Sequence, residues 1–497
     1  MRVLMVALVA LLTTAATPPA YDSTSMGAAA LLERADNATG TLAPGSYIRT
    51  YTSDGSGLHT DGVTKISGAD RETVEHTGPF TTAFGVFNGQ QWRQNENGVV
   101  IEQTGFHDTE DPDVNALAHA DSSTALRVLG ITHDAPQHYV LEVAPHGGPR
   151  ELRYYDAATY LLDRIEITGA DGRPRVWTFS RFRPAFGELI PYTVRYSDGR
   201  PANDSVTTIS SFVASPVQLA GIPSSRTLID TSHTAPITIP ATFDSTGIVV
   251  PVTIEGHKYN FLLDSGSDSL ALAPRIAAQL GYKLYGLSKA NIVGEFDVSQ
   301  TIVPELLIGG LRLNNVTFSV APIDKPDDND HLVGVLGLDF WSSAVVGLDF
   351  KNKTVTLYPA STSPPDAASL SVLPIALDDG VPRAAASIEG IQGYFMLDTG
   401  ASSTVLYHHY FDQLGVKTPM DELVEMQWIG GVVDMAPYTV NDFALGSTSF
   451  KHATILLPPN SSGDDPRYDG IIGRNLMEYY MMYFDYQGHA VYFRPNT

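Results

Sequence analysis

Residues 254–266 read IEGHKYNFLLDSG, and residues 388–400 read IEGIQGYFMLDTG. The second stretch lies 134 positions on, from Asp264 to Asp398. At that offset Ile254, Glu255, Gly256, Phe261, Leu263 and Gly266 also match Ile388, Glu389, Gly390, Phe395, Leu397 and Gly400. The agreement extends outward. Gln279-Leu280-Gly281 returns as Gln413-Leu414-Gly415, and VGVLGLDF (333–340) is echoed by DGIIGRNL (469–476). Asp349 and Asp485 each precede a closing run, TVTLYP and AVYFRP. Self-similarity of this length means two copies of one folding unit, each of ordinary domain size.

In each copy an apolar run, Phe261-Leu262-Leu263 or Phe395-Met396-Leu397, reads as a buried strand. It feeds directly into Asp-(Ser/Thr)-Gly. The glycine permits a turn that Cβ-bearing residues resist, so a carboxylate can stand at a strand end on a rigid base. The hydroxyls of Ser265 and Thr399 can lock the loops by hydrogen bonds across the pair. Two carboxylates held close cannot both ionise cheaply, so they share a proton. The charged member can take a proton from water, while the protonated member polarises a carbonyl and later protonates a leaving amine.

This duplicated Asp-(Ser/Thr)-Gly, with a later apolar-apolar-Gly at Val335-Leu336-Gly337 and Ile471-Ile472-Gly473, resembles the retropepsin-like and pepsin-like aspartic peptidases. The resemblance covers both units, about half of the chain. It implies a mainly β fold: two tandem retropepsin-like β-barrel lobes forming a bilobal pepsin-like unit, at 237–359 and 371–497. It implies that Asp264 and Asp398 are catalytic, supported by Ser265, Gly266, Ser267, Thr399, Gly400 and Ala401. It further implies a flap over the cleft in each unit. The glycines place one at Trp428, Ile429, Gly430 and Gly431, and the other falls at Ile292, Val293 and Gly294, where the glycine-rich pattern is missing. Ser267 follows one motif and Ala401 the other. A serine there can hydrogen-bond the aspartate, so Asp264 is expected to be the more readily ionised member. Both halves lie in one chain, so an intramolecular lobe pair in a monomer is expected over a dimer.

Competing readings are weaker. A lone Asp in a turn is usually a cap, but two in register are not explained that way. Asp268 reads as the cap of a helix starting near Ala273. His408-His409 would share no helical face and so make a poor metal site. The acidic run Asp324, Asp327, Asp328 and Asp330 has no EF-hand spacing. Paired carboxylates also serve glycosidases, yet the duplicated motif favours peptide hydrolysis. No Gly-x-Ser-x-Gly elbow accompanies a usable histidine. The alternative from another class is a catalytically inactive peptide- or lipid-binding protein on the same scaffold.

The Pro-, Ser- and Ala-rich run PASTSPPDAAS (359–369) marks a linker at 360–370. Ahead of the repeat, residues 21–231 form a β-rich N-terminal domain. Alternating runs there are punctuated by Asp54-Gly55, Asn88-Gly89, Asp171-Gly172 and Asp198-Gly199. Val176 to Phe179 and Tyr192 to Tyr196 read as antiparallel strands with one buried face. The segment from Tyr154 through Arg195 resembles the LolA-like lipoprotein carriers, which implies a concave sheet. A structural or shielding role for this domain is the competing reading.

Arg2, the apolar run Val3 to Leu12 and the small residues after it read as a signal peptide over 1–20 of an exported protein, periplasmic or secreted. The chain has 497 residues and no cysteine, which excludes disulfides, thiol chemistry and a lipobox anchor. Against 31 Lys plus Arg stand 55 Asp plus Glu, a net charge of -24 that repels a phosphate backbone. The expected partner is a peptide or protein substrate, with no nucleic acid, no membrane span, no cofactor and no metal.

Overall fold

Alternating runs broken by short turns fold as a meander. The structure, a computed structural model, describes residues 21–103, 124–144, 150–168, 172–229, 235–291, 294–323, 332–360, 363–419, 423–428, 431–460, 464 and 468–496. The expected signal segment and the acidic run at 324–330 lie outside the described residues.

The N-terminal region is one 13-stranded antiparallel sheet. Its first half meanders outward from Ser46–Gly55 to Val100–Gln103. Its second half returns inward from Ala125–Ile131 to Ser205–Ala214, which pairs with Ser46–Gly55. Asn88 and Gly89 both take positive φ and close a two-residue hairpin between Phe87 and Gln90. The first hairpin turns at Ser56-Gly57, two residues beyond the Asp54-Gly55 pair. Trp177 and Phe179 face the core together, opposite Tyr196 and Val194 on the next strand. The helix Ala28–Thr39 lays Leu31 and Ala35 on Leu141, Val143 and Tyr155.

Each repeat unit closes six strands into a ring. In the first, Ile248–Ile254 pairs both with His257–Leu263 and with Glu295–Ile308. In the second, Val381–Ile388 pairs with Ile391–Leu397 and with Gly431–Leu445. Between the units runs a shared ribbon in which Ala344–Asp349 pairs antiparallel with Tyr480–Asp485, one strand from each. Val345, Val346, Leu348 and Phe484 on this ribbon are fully buried. Apolar alternation cannot reveal such a seam, because both faces are covered and the runs read as continuous.

The short helix of the first unit starts at Pro274 on an Ala273 cap with no side-chain bond. Proline at the first helical position supplies the start instead, so Asp268 is not its cap.

The N-terminal region joins a buried core that runs through both units. Val99, Ile101, Leu228 and Ile229 belong to the same buried cluster as Phe261 and Leu263. Polar pins surround it. Asn97 Nδ2 donates to Thr317 O at 3.0 Å and Thr317 N donates to Asn97 Oδ1 at 2.8 Å. Asn95 Nδ2 donates to Asp339 Oδ1 at 2.8 Å, and Leu228 N donates to Ser343 Oγ at 2.8 Å.

Candidate active site

His257–Leu263 ends on Asp264, and Ile391–Leu397 ends on Asp398. Each of these strands lies parallel to the apolar-Gly segment of its unit, pairing Leu263 with Leu336 and Leu397 with Ile472. The aspartates extend the pairing: Asp264 N donates to Leu336 O (3.1 Å) and Asp398 N to Ile472 O (3.0 Å). A Cβ on Gly337 would stand 2.1 Å from Ser269 O, and one on Gly473 would stand 2.5 Å from Ser403 O. Only glycine lets that segment pass so close under the loop.

The two loops hold each other by four hydrogen bonds. Ser265 N donates to Thr399 Oγ1 (3.0 Å), and Thr399 N donates to Ser265 Oγ (2.9 Å). Ser265 Oγ donates to Leu397 O (2.7 Å), and Thr399 Oγ1 donates to Leu263 O (2.8 Å). Both residues are fully buried. This exchange brings the carboxylates together. A Cβ on Gly266 would lie 2.5 Å from Asp398 Cγ, and a Cβ on Gly400 would lie 2.6 Å from Asp264 Cγ.

Both aspartates keep part of their surface open, yet protein encloses the carboxylates enough to raise both pKa values. For Asp264 desolvation is the largest cause. Repulsion from Asp398 adds to it, and the pKa stands well above the ordinary carboxyl value. For Asp398 desolvation again leads. Hydrogen bonds from Asp264, Ala401 and Gly400 and the positive charge of Arg474 oppose it. Asp398 Oδ1 accepts from Gly400 N (2.7 Å) and Ala401 N (3.0 Å), whereas Asp264 Oδ1 accepts from Gly266 N (2.8 Å). Ser267 Oγ donates elsewhere, to Ser269 O at 2.9 Å. The bond expected from Ser267 to Asp264 is therefore absent, and the Ala401 N–H favours charge on Asp398 instead. The backbone N–H of Ala401 does what the Ser267 hydroxyl was expected to do.

Two residues at the site carry no motif. Tyr486 Oη donates to Ser265 O at 3.2 Å from below, and Trp341 stacks on its ring. Arg474 donates to Asp244 O (2.8 Å) and Ser245 O (3.3 Å) of the other unit. The repeat register holds the signal for both: Tyr486 stands where the first unit has Phe350, and Arg474 where it has Leu338.

The hairpins at the expected flap positions are Tyr285–Asn291 with Glu295–Ile308, and Val424–Trp428 with Gly431–Leu445. Gly294 and Gly431 flank their tips. Ile292, Val293, Ile429 and Gly430 lie outside the described residues. His408 and His409 sit on separate carboxylates, Asp464 at 3.4 Å and Asp469 at 3.1 Å.

Residues 250–340 and 384–476 each match the family model described as aspartyl protease. Those two segments contain both aspartates and both Asp-(Ser/Thr)-Gly loops. Among solved structures, an aspartic proteinase from Irpex lacteus is 14% identical and covers 53% of this chain and 98% of its own, with a TM-score of 0.37. A LolA superfamily protein from Nitrosomonas europaea is 13% identical and covers 39% of this chain and 96% of its own, with a TM-score of 0.30. A putative outer membrane lipoprotein-sorting protein domain from Vibrio parahaemolyticus is 11% identical over 38% and 93%, with a TM-score of 0.29. No curated protein matches the chain.

Proposed function

Starting from two segments that match the aspartyl protease family, we propose that this chain is an exported aspartic endopeptidase working as a monomer with an intramolecular lobe pair. The observation that carries the proposal is the reciprocal Ser265–Thr399 exchange, which leaves each aspartate against the other loop's glycine. The pair takes the acid and base roles. Asp398, the more readily ionised, accepts a proton from water as its oxygen attacks the peptide carbonyl carbon. Asp264, protonated, donates a hydrogen bond to the carbonyl oxygen. The tetrahedral species collapses when Asp264 gives its proton to the amide nitrogen and the C–N bond breaks, giving a carboxyl group and an amine; the proton taken from water then passes from Asp398 to Asp264 and restores the pair. These steps use only the two carboxyl groups and water. An extended peptide fits such a cleft by strand-like pairing under the hairpins. The N-terminal charge and apolar run support export.

The test is cleavage of a peptide library by the mature protein between about pH 3 and 7, where paired carboxylates titrate. Asp264→Asn and Asp398→Asn are each expected to lose at least about a thousandfold in kcat/KM while remaining folded. Cleavage retained in either variant, or absent from the wild type, defeats the peptidase reading. Peptide binding without turnover would leave the binding scaffold in its place.

A further inference from the structure

The outer edge of the first hairpin is covered. Tyr285–Asn291 is the last strand of its sheet, and its inner side pairs Ser288 with Val298 and Lys289 with Asp297. An edge strand leaves alternate N–H and C=O groups without a neighbour. Here the N-terminal sheet supplies one. Leu287 N donates to Ser56 O at 2.7 Å. Lys289 N donates to Asn203 Oδ1 at 2.6 Å, and Asn203 Nδ2 donates to Lys289 O at 2.8 Å. One side-chain amide stands where the peptide of a neighbouring strand would stand.

Asn203 is itself fixed. Its Nδ2 also donates to Asp198 Oδ2 at 2.8 Å, and Arg200 Nη1 donates to the same oxygen at 2.7 Å. Arg200 Nε then reaches Glu295 Oε2 at 3.0 Å, on the other strand of the hairpin. Asp198 and Arg200 are 5% and 7% exposed. Burial alone would push the Asp198 carboxyl up, but the bonds from Asn203 and Arg200 outweigh it and hold the group ionised. Both strands beside the hairpin tip, at Lys289 and Glu295, are thus gripped from one buried carboxylate. Phe80 adds an edge contact to Tyr285 at 5.4 Å. In the second hairpin Asn441 N donates to Glu389 Oε1 of the same unit.

We propose that Asn203 is a positioning residue for the first hairpin: through it the N-terminal sheet holds that hairpin fixed relative to the carboxylate pair. This rests on the peptidase reading and assigns the N-terminal sheet a part in substrate binding.

The experiment uses the full chain carrying Asn203→Ala, with Glu295→Gln as a milder second variant on the exposed side of the grip. Hydrogen exchange at the Lys289 and Leu287 amides is measured beside kcat and KM. Asn203→Ala should speed exchange at both amides on the order of tenfold, leaving the Ser265 and Thr399 amides unchanged. KM should rise about tenfold with kcat within about twofold, since the carboxylates are not moved. Glu295→Gln should shift the same quantities in the same direction by less. Unchanged exchange at Lys289 overturns the proposal, and so does faster exchange with unchanged KM. If the wild type proves inactive, the peptidase reading fails by itself. The affinity of a peptide carrying a hydroxyethylene isostere then replaces KM, and an Asn203→Ala affinity equal to wild type overturns the positioning role.

Discussion

Asp339 and Asn475 occupy the same place in the two units, two residues after the glycine that passes under each active loop. Asn475 satisfies its site as a neutral amide, accepting from Thr404 N and donating to Thr454 O. Asp339 is 1% exposed, and burial raises its carboxyl from 3.8 to about 6, against the hydrogen bonds of Asn95 and Asn97. The folded chain therefore holds that proton more tightly than the unfolded chain. The stabilisation is complete below 3.8 and disappears as pH rises through about 6. Above that the buried charge costs on the order of 3 kcal/mol. Asp339→Asn is expected to raise the Tm at pH 7.5 and to leave it nearly unchanged at pH 3.5, as read by thermal unfolding at both pH values. The dyad gives a second residue-level expectation. Ser267→Ala removes a hydroxyl that bonds Ser269 O rather than Asp264, so the acid limb of the pH–rate profile should not move. An upward shift of that limb would restore the charge to Asp264. The motifs made the dyad residues legible, but which carboxylate carries the charge was not. That depends on whether one more backbone N–H points at an oxygen, and backbone direction is not written in residue type.

At the scale of the element, the exchange between the two loops explains why a hydroxyl must follow each aspartate. Thr399 Oγ1 accepts from one buried amide and donates to one buried carbonyl. Thr399→Val keeps the shape and leaves both partners unsatisfied, at about 1–3 kcal/mol apiece. It should lower stability by a few kcal/mol in denaturant titration and abolish cleavage. Thr399→Ser should preserve both. The strand–turn–aspartate elements and the segments beneath them were readable because apolar strand, acid and glycine recur in fixed order. The hairpins were readable only in outline. The first lacks the expected glycines, and its edge is completed by Ser56 and Asn203, more than eighty residues upstream. A local pattern holds no trace of a partner so distant in sequence.

For the whole molecule, the N-terminal sheet is the part that sequence described least well. Its strands and turn at Asn88-Gly89 follow from alternation, but its attachment does not. A removable shielding domain would meet the two repeat units across polar, solvated surface. Instead Val99, Ile101, Leu228 and Ile229 are buried in a core shared with both units, each contributing about 1.5–3 kcal/mol. Deleting residues 21–231 uncovers the apolar surface beneath them. The truncated chain is expected to be poorly soluble or to melt well below the full chain, by thermal unfolding of matched samples. A truncated form of equal stability would return the sheet to the role of a detachable cover.

The ribbon pairing Ala344–Asp349 with Tyr480–Asp485 joins two halves that are encoded separately. Identical subunits sharing a site would have to change both sides at once. Here Phe350 differs from Tyr486, Leu338 from Arg474, and Ser267 from Ala401. A cleft whose two walls differ has a polarity: a bound peptide lies one way round more favourably than reversed. On the peptidase reading proposed above, direction of reading, from amino to carboxyl end, follows from carrying both halves in one chain.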